Sequence, residues 1–185
     1  NNRKGKAMIG KAKTILIAAL LIAIPVLTPA ALVAHYTFDT DASATVGTDA
    51  TLGTAASISS SDAQVGAGSL ALSGAPSTDT AGGDGAVSGN TFDWSGSDVR
   101  TVAFWVKAAT GDYGDSFATM IGLGAGSAAG TRFDVRLDGG NLRLEVSGGG
   151  FTTTSQIADG TWRHIAVVVP DAASTVSSAQ YYIDG

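Results

Sequence analysis

The stretch "TRFDVRLDGGNLRLEVSG", residues 131–148, decides the fold class. Apolar residues occupy every second position on both sides of the central "DGGN": Phe133, Val135, Leu137, Leu142, Leu144 and Val146. Alternation of this kind is the signal of a half-buried strand, and two glycines between two such runs favour a tight turn. The stretch therefore predicts a β-hairpin with one apolar and one charged face.

Further strands are indicated elsewhere in the chain. In "TVAFWVKA" (101–108), Val102, Phe104 and Val106 share one face, and we interpret Trp105 as a core residue. "WRHIAVVV" (162–169) is apolar on both faces, as in a strand covered on both sides. "AQYYIDG" (179–185) is rich in β-forming residues. Short strands joined by long polar loops predict an all-β, two-sheet antiparallel sandwich or jelly roll.

The N-terminal segment has the pattern of a secretory signal. Basic residues at Lys11 and Lys13 precede the apolar run Ile15–Ile24, and small residues follow. We expect cleavage near Ala30 or Ala31, which leaves residues 31–185 as one domain. The alternative is a retained membrane helix, which needs about 20 apolar residues. Pro25 and Pro29 argue against it, because proline interrupts helix hydrogen bonding.

The charge of the predicted mature chain excludes several partners. From residue 31 onward, six basic residues face sixteen acidic ones, a formal net charge of −10. Such a chain repels nucleic acids and anionic lipid surfaces, so we expect no nucleic-acid partner and no membrane contact after signal cleavage. The chain has no cysteine, which excludes thiol catalysis, disulfides and cysteine-bound zinc.

Five stretches in order carry a family resemblance: "LVAHYTFD" (32–39), "GAGSLALSG" (66–74), "RTVAFWVKA" (100–108), "IADGTWRHIAVVV" (157–169) and "YYIDG" (181–185). Together they resemble the bacterial laminin-G-like, concanavalin A-like jelly-roll domain. The resemblance implies two packed antiparallel sheets and a secreted or cell-surface module that binds carbohydrate or protein, often with a structural calcium ion. Family domains continue beyond "YIDG", so we expect this domain to be incomplete at its C-terminus.

Asp39 and Asp41 are the candidate calcium ligands. Calcium takes six to eight oxygens from carboxylates and main-chain carbonyls, and two carboxylates two residues apart can serve one loop. The alternative is that both aspartates only end a strand and cap turns. The family usually has an aspartate where this chain has Ser73, which weakens one expected ligand.

Four residues are the candidate glycan contacts. Arg132 and Arg136 lie in a row with Asp134 that should face outward beside Arg143 and Glu145, and guanidinium groups suit sugar hydroxyls and acidic polysaccharides. The alternative is a solvated face with cross-strand ion pairs. Trp94 and Tyr113 lie in predicted loops, where they could form an aromatic rim.

An enzyme is not expected. Glycosidases need two carboxylates at a fixed separation, and Glu145 is the only glutamate, with no matching motif. His164 lies two residues after Trp162, on the same strand face, and we interpret it as structural. The sequence thus predicts a secreted, non-catalytic module that binds polysaccharide or glycoprotein glycans. The alternative is a structural or adhesive protein-interaction module of a larger cell-surface protein.

Overall fold

The computed structural model describes residues 31–72, 85–92, 98–112, 118–124 and 126–185. Within these ranges the chain contains strands and turns, and no helix long and apolar enough to cross a membrane. The predicted signal segment, residues 1–30, lies outside them. The strands are β1 (His35–Tyr36), β2 (Ala44–Val46), β3 (Ala50–Leu52), β4 (Ala56–Ser59), β5 (Ser69–Leu72), β6 (Ala86–Ser88), β7 (Arg100–Lys107), β8 (Ala118–Gly124), β9 (Arg132–Asp138), β10 (Asn141–Val146), β11 (Gly149–Gln156), β12 (Trp162–Val169) and β13 (Gln180–Ile183).

Two antiparallel sheets form the body of the domain. One has the strand order β11-β10-β9-β8 and the other has the order β13-β12-β7. The remaining described strands pair as β1-β2, β3-β6 and β4-β5. This all-β arrangement confirms the predicted sandwich class.

The predicted hairpin is β9 and β10. Leu137 pairs with Leu142 and Val135 with Leu144 in the register of the two strands. Gly139 and Gly140 both adopt positive φ, 56° and 84°, as a two-residue hairpin turn of this type requires. Only glycine reaches such angles without a steric penalty. This turn fixes the register of the two strands, and the register determines the face to which each side chain points.

The core lies between the two large sheets. Val135, Leu142 and Leu144 come from one sheet and Ile165 and Val167 from the other, and all are essentially buried in one apolar cluster. The alternating exposure of β7 follows from this packing, because Val102, Phe104 and Val106 pack against the cluster. The opposite face of β7 is exposed along its length.

The first strand is short. The stretch from Leu32 to Asp39 contains only the two-residue strand β1. Phe38 adopts φ of 54°, a left-handed conformation that non-glycine residues rarely take, and this ends the extended segment. The ring of Phe38 stacks on that of Tyr36 at 5.7 Å.

Candidate functional site

The charged face of β9 and β10 is buried, which corrects the prediction that this row is open to solvent. We call it the ion-pair cluster, and its members are Arg132, Asp134, Arg136, Asp138, Arg143 and Glu145. Asp134, Arg136 and Glu145 are only 6%, 3% and 9% exposed. The row points away from the apolar core, and its side chains bond to one another and to Thr119 on β8 and Thr152 on β11.

Glu145 is the centre of this cluster. It accepts hydrogen bonds from Arg132, from Arg136 Nη1 at 2.9 Å and from Arg143 Nε at 3.1 Å. Thr119 on β8 accepts from Arg136 Nε at 3.0 Å. Three guanidinium groups and three carboxylates make up the cluster, so its formal charges cancel. The arrangement is that of a buried ion-pair network, which requires good geometry and full hydrogen bonding to offset desolvation.

The two arginines predicted to contact glycan differ in their access to a ligand. The side chain of Arg132 is 23% exposed to solvent, whereas that of Arg136 is 4% exposed. Arg136 already donates to Glu145 and to Thr119, and little of its side chain is open to a ligand. Ligand binding by Arg132 and Arg136 therefore stays a prediction, with Arg132 as the accessible member.

The two candidate calcium ligands each accept a hydrogen bond from a backbone amide. Asp39 Oδ1 accepts a hydrogen bond from the Ala67 amide at 2.7 Å, and Asp41 Oδ1 accepts from the Ser43 amide at 2.8 Å. The hydrogen bonds to Ser43 lower the pKa of Asp41 below its usual value. Gly66 lies so close to Asp39 that an added Cβ would fall 2.0 Å from Oδ1.

The contact of Asp41 with Ser43 fits the alternative in which the aspartates cap turns, whereas Asp39 bonds to a segment 28 residues away. Over the described ranges, no three histidine or acidic side chains gather closely enough to hold a metal ion. Calcium also takes main-chain carbonyl oxygens, so the calcium site at Asp39 and Asp41 stays a prediction. Trp94, Tyr113 and Ser73 lie outside the described residues, so the predicted aromatic rim also stays a prediction.

A second surface is formed by the outward side of the three-stranded sheet. We call it the aromatic face, and its rings belong to Trp105 on β7, Trp162 and His164 on β12 and Tyr182 on β13. Trp105 is 41% exposed and Tyr182 is 43% exposed. The prediction that Trp105 belongs to the core is therefore wrong, because its two neighbours in the strand, Phe104 and Val106, occupy the core side.

The register of the three strands determines where each of these rings lies on the sheet. Trp105 lies opposite His164, and their ring centroids are 5.2 Å apart with planes tilted by 60°. Tyr182 lies opposite Ala166, which in turn lies opposite Ala103. Ala166 therefore lies between Tyr182 and β7, while Ala103 lies on β7 itself, two residues from Trp105. β12 was expected to be covered on both sides, but only its Ile165 and Val167 side is buried.

Asp62 fixes one end of the aromatic face. It lies between β4 and β5, and it accepts hydrogen bonds from Trp162 Nε1 at 3.0 Å and from Lys107 Nζ at 2.7 Å. These hydrogen bonds lower the pKa of Asp62 below its usual value, and the bond from Lys107 has the larger effect. The indole of Trp162 is held in place by this contact, and the charge of Lys107 is neutralised beside it.

The aromatic face combines features that suit binding of a partially apolar ligand. Exposed aromatic rings lose hydration when a flat apolar surface covers them, and the polar N–H and O–H groups at their edges can still hydrogen-bond. The sequence already contained the signal for this surface. Strict alternation places Trp105 and its neighbour Phe104 on different sides of the sheet, and it does the same for His164 and Ile165.

Comparison with known proteins agrees with the fold. A laminin G family model, described as the concanavalin A-like lectin/glucanases superfamily, matches residues 80–185. The match spans more than half of the chain and includes β7, β12 and β13, which carry the aromatic face. The stretches at 32–39 and 66–74 lie before the matched range. No curated protein and no solved structure matches the chain significantly.

Proposed function

Since this chain belongs to the concanavalin A-like lectin/glucanase superfamily, we propose that it is a secreted, non-catalytic glycan-binding module. Laminin G-like domains of this superfamily are typically binding modules without catalytic activity, and they bind glycans or proteins. The predicted signal segment supports export. The acidic charge of the mature chain is consistent with a partner other than nucleic acid or an anionic membrane.

One observation carries the proposal: the aromatic face presents Trp105 and Tyr182 to solvent on a regular sheet surface. Large aromatic side chains are usually well buried, and exposed aromatic patches mark interaction sites. The C–H faces of sugar rings are apolar and flat, while their hydroxyl groups lie at the rim. A pyranose can therefore cover an aromatic ring and still keep its hydroxyl groups hydrated or hydrogen-bonded.

The carboxylates of the described residues support a non-catalytic role. A glycosidase needs one carboxylic acid with a raised pKa to protonate the leaving group. The described carboxyl groups with a resolved shift, Asp41, Asp62, Asp159 and Asp184, all have their pKa lowered, mainly by hydrogen bonds from neighbouring donors. Both oxygens of Glu145 accept hydrogen bonds from arginines, so its carboxylate is occupied.

The test is retention of the protein on neutral and acidic polysaccharides, with calcium and with chelator. Retention on a polymer, together with release by the same polymer in soluble form, is the expected result. Retention that is lost with chelator would place calcium at or beneath the site. A folded sample that no polymer retains would overturn the glycan proposal and favour the alternative, a protein-interaction module, because exposed tryptophan and tyrosine are also common in protein interfaces.

A further inference from the structure

We propose that the aromatic face binds a neutral, extended polysaccharide that runs across the strands from Trp105 to Tyr182 and contacts both rings through different sugar units. This inference rests on the proposed function and adds the ligand's charge, its minimum length and its direction. Three observations carry it: the positions of the two rings, the small side chains between them and the pairing of the surrounding charges.

The positions of the rings set the length. Trp105 lies on β7 and Tyr182 on β13, two strands apart and offset by two residues in the register. With strands about 4.8 Å apart and a rise of about 3.4 Å per residue, the two Cα atoms are roughly 12 Å apart. Stacked rings lie about 4.5–7 Å from each other. One sugar ring on Trp105 therefore does not reach Tyr182, whereas an oligosaccharide does.

The side chains between the rings leave a path. Ala166 on β12 lies beside Tyr182 in the register, and Ala103 lies beyond it on β7, two residues from Trp105. His164 occupies the other β12 position between Trp105 and β13. The methyl groups of the two alanines are the smallest side chains on this face, so a ligand can lie close to the sheet between the two larger rings. The hydroxyl of Tyr182 donates to Gln180 at 3.0 Å, which restrains the ring that would meet the ligand.

The charges around the aromatic face favour a neutral ligand. At one end Lys107 is paired with Asp62 at 2.7 Å, and Arg163 near the same end is paired both with Asp184 at 2.7 Å and with Asp159. The Lys107 pair cancels, and Arg163 with its two carboxylates carries one net negative charge, so both cations are already paired and an acidic polymer is not attracted. The net charge of −10 on residues 31–185 adds repulsion toward acidic polysaccharides.

The proposal is tested with a ladder of neutral oligosaccharides as competitors. Cello-oligosaccharides and manno-oligosaccharides of increasing length, starting with the monosaccharides, are added as soluble competitors to the protein on the polysaccharide that retains it. Alginate serves as the acidic competitor for comparison. We expect negligible competition by monosaccharides, a steep gain once the ligand spans both rings, and no competition by alginate. Trp105→Ala and Tyr182→Ala should each weaken binding of the longer oligosaccharides by about tenfold or more.

Matched variants separate the ring from the fold. Thr101→Ala alters an exposed side chain on the same face of β7 and should leave binding unchanged. Tyr182→Phe keeps the ring and should bind like the wild type. Monosaccharides competing as well as oligosaccharides, preference for alginate, or unchanged binding after Tyr182→Ala would each overturn this inference while leaving glycan binding itself intact. Absence of retention on every polymer would overturn the proposed function as well.

Discussion

Replacement of Glu145 by glutamine should destabilise the domain strongly although it hardly changes the shape of the side chain. Glu145 accepts hydrogen bonds from Arg132, Arg136 and Arg143, and its residue is only 9% exposed. Glutamine removes the negative charge at the centre of the ion-pair cluster. Its amide group also presents N–H donors toward guanidinium groups that are themselves donors.

The expected loss in the free energy of unfolding depends on how deeply each arginine side chain is buried. Loss of one partner from a buried ion pair costs about 3–5 kcal/mol, whereas exposed pairs contribute about 0–1 kcal/mol. Only the Arg136 side chain is nearly buried, at 4% exposure, while those of Arg132 and Arg143 are near 20%. We therefore expect a loss of about 3 kcal/mol in the free energy of unfolding, most of it from the pair with Arg136.

Urea unfolding followed by tryptophan fluorescence measures this loss. With a slope of about 2 kcal/mol per M, the midpoint should fall by about 1.5 M. The control is Asp159→Asn, which also removes one carboxylate charge from an arginine but at an exposed pair with Arg163. The control should unfold close to the wild type. Equal midpoints for the Glu145 and Asp159 variants would refute the claim that the ion-pair cluster is buried and tightly bonded.

Three further predictions concern the loops, the metal and alkaline pH. If Trp94 and Tyr113 form a glycan-binding rim, their double replacement by alanine should abolish polysaccharide retention while urea unfolding stays unchanged; unaltered retention would contradict the rim. If Asp39 and Asp41 bind calcium, calcium should raise the melting temperature of the wild type and fail to raise that of the Asp39→Asn, Asp41→Asn double variant; an equal rise in both would contradict the site. Burial raises the pKa of Tyr181 to about 12, above the ordinary value near 10, so the neutral phenol stabilises the fold fully below pH 10 and this contribution is lost as the pH rises toward 12. Tyr181→Phe should reduce the loss of stability between pH 10 and 12 by about 1 kcal/mol, allowing for the partial exposure of the ring; an identical pH profile of urea midpoints would contradict the assignment.

The hairpin of β9 and β10 was predictable because the information for it is local. Alternation fixes the faces of both strands, and the pair Gly139 and Gly140 fixes the turn. The core positions Val135, Leu142 and Leu144 follow from the same pattern, and the structure buries all three. The family resemblance was likewise carried by short stretches in a fixed order.

Trp105 shows how residue type can mislead when it is given more weight than pattern. Tryptophan is commonly buried, which suggested a core role, but its neighbours Phe104 and Val106 already occupied the core side of β7. Period-two alternation then requires Trp105 to face solvent, as the structure shows. The exposure of Trp105 on the aromatic face was thus predictable from the strand pattern alone.

Other features depend on contacts between distant residues and could not be read from spacing. Asp62 and Trp162 are separated by 100 residues, yet the carboxylate accepts the indole N–H. The burial of Arg136 depends on neighbours from β8 and β10, which sequence alternation does not specify. Alternation indicates which side a residue faces, but whether that side is open depends on what the adjacent strands carry.

The most direct test of glycan binding by the aromatic face compares two single variants on one polymer. Trp105→Ala and Thr101→Ala change side chains on the same face of the same strand. Thr101→Ala should unfold like the wild type, and Trp105→Ala, which loses the contact with His164, should unfold at a lower urea concentration but stay folded under the conditions of the assay. On the polysaccharide that retains the wild type, we predict that Thr101→Ala is retained and Trp105→Ala is not. Full retention of a folded Trp105→Ala variant would contradict the account, because glycan binding would then reside elsewhere on the domain.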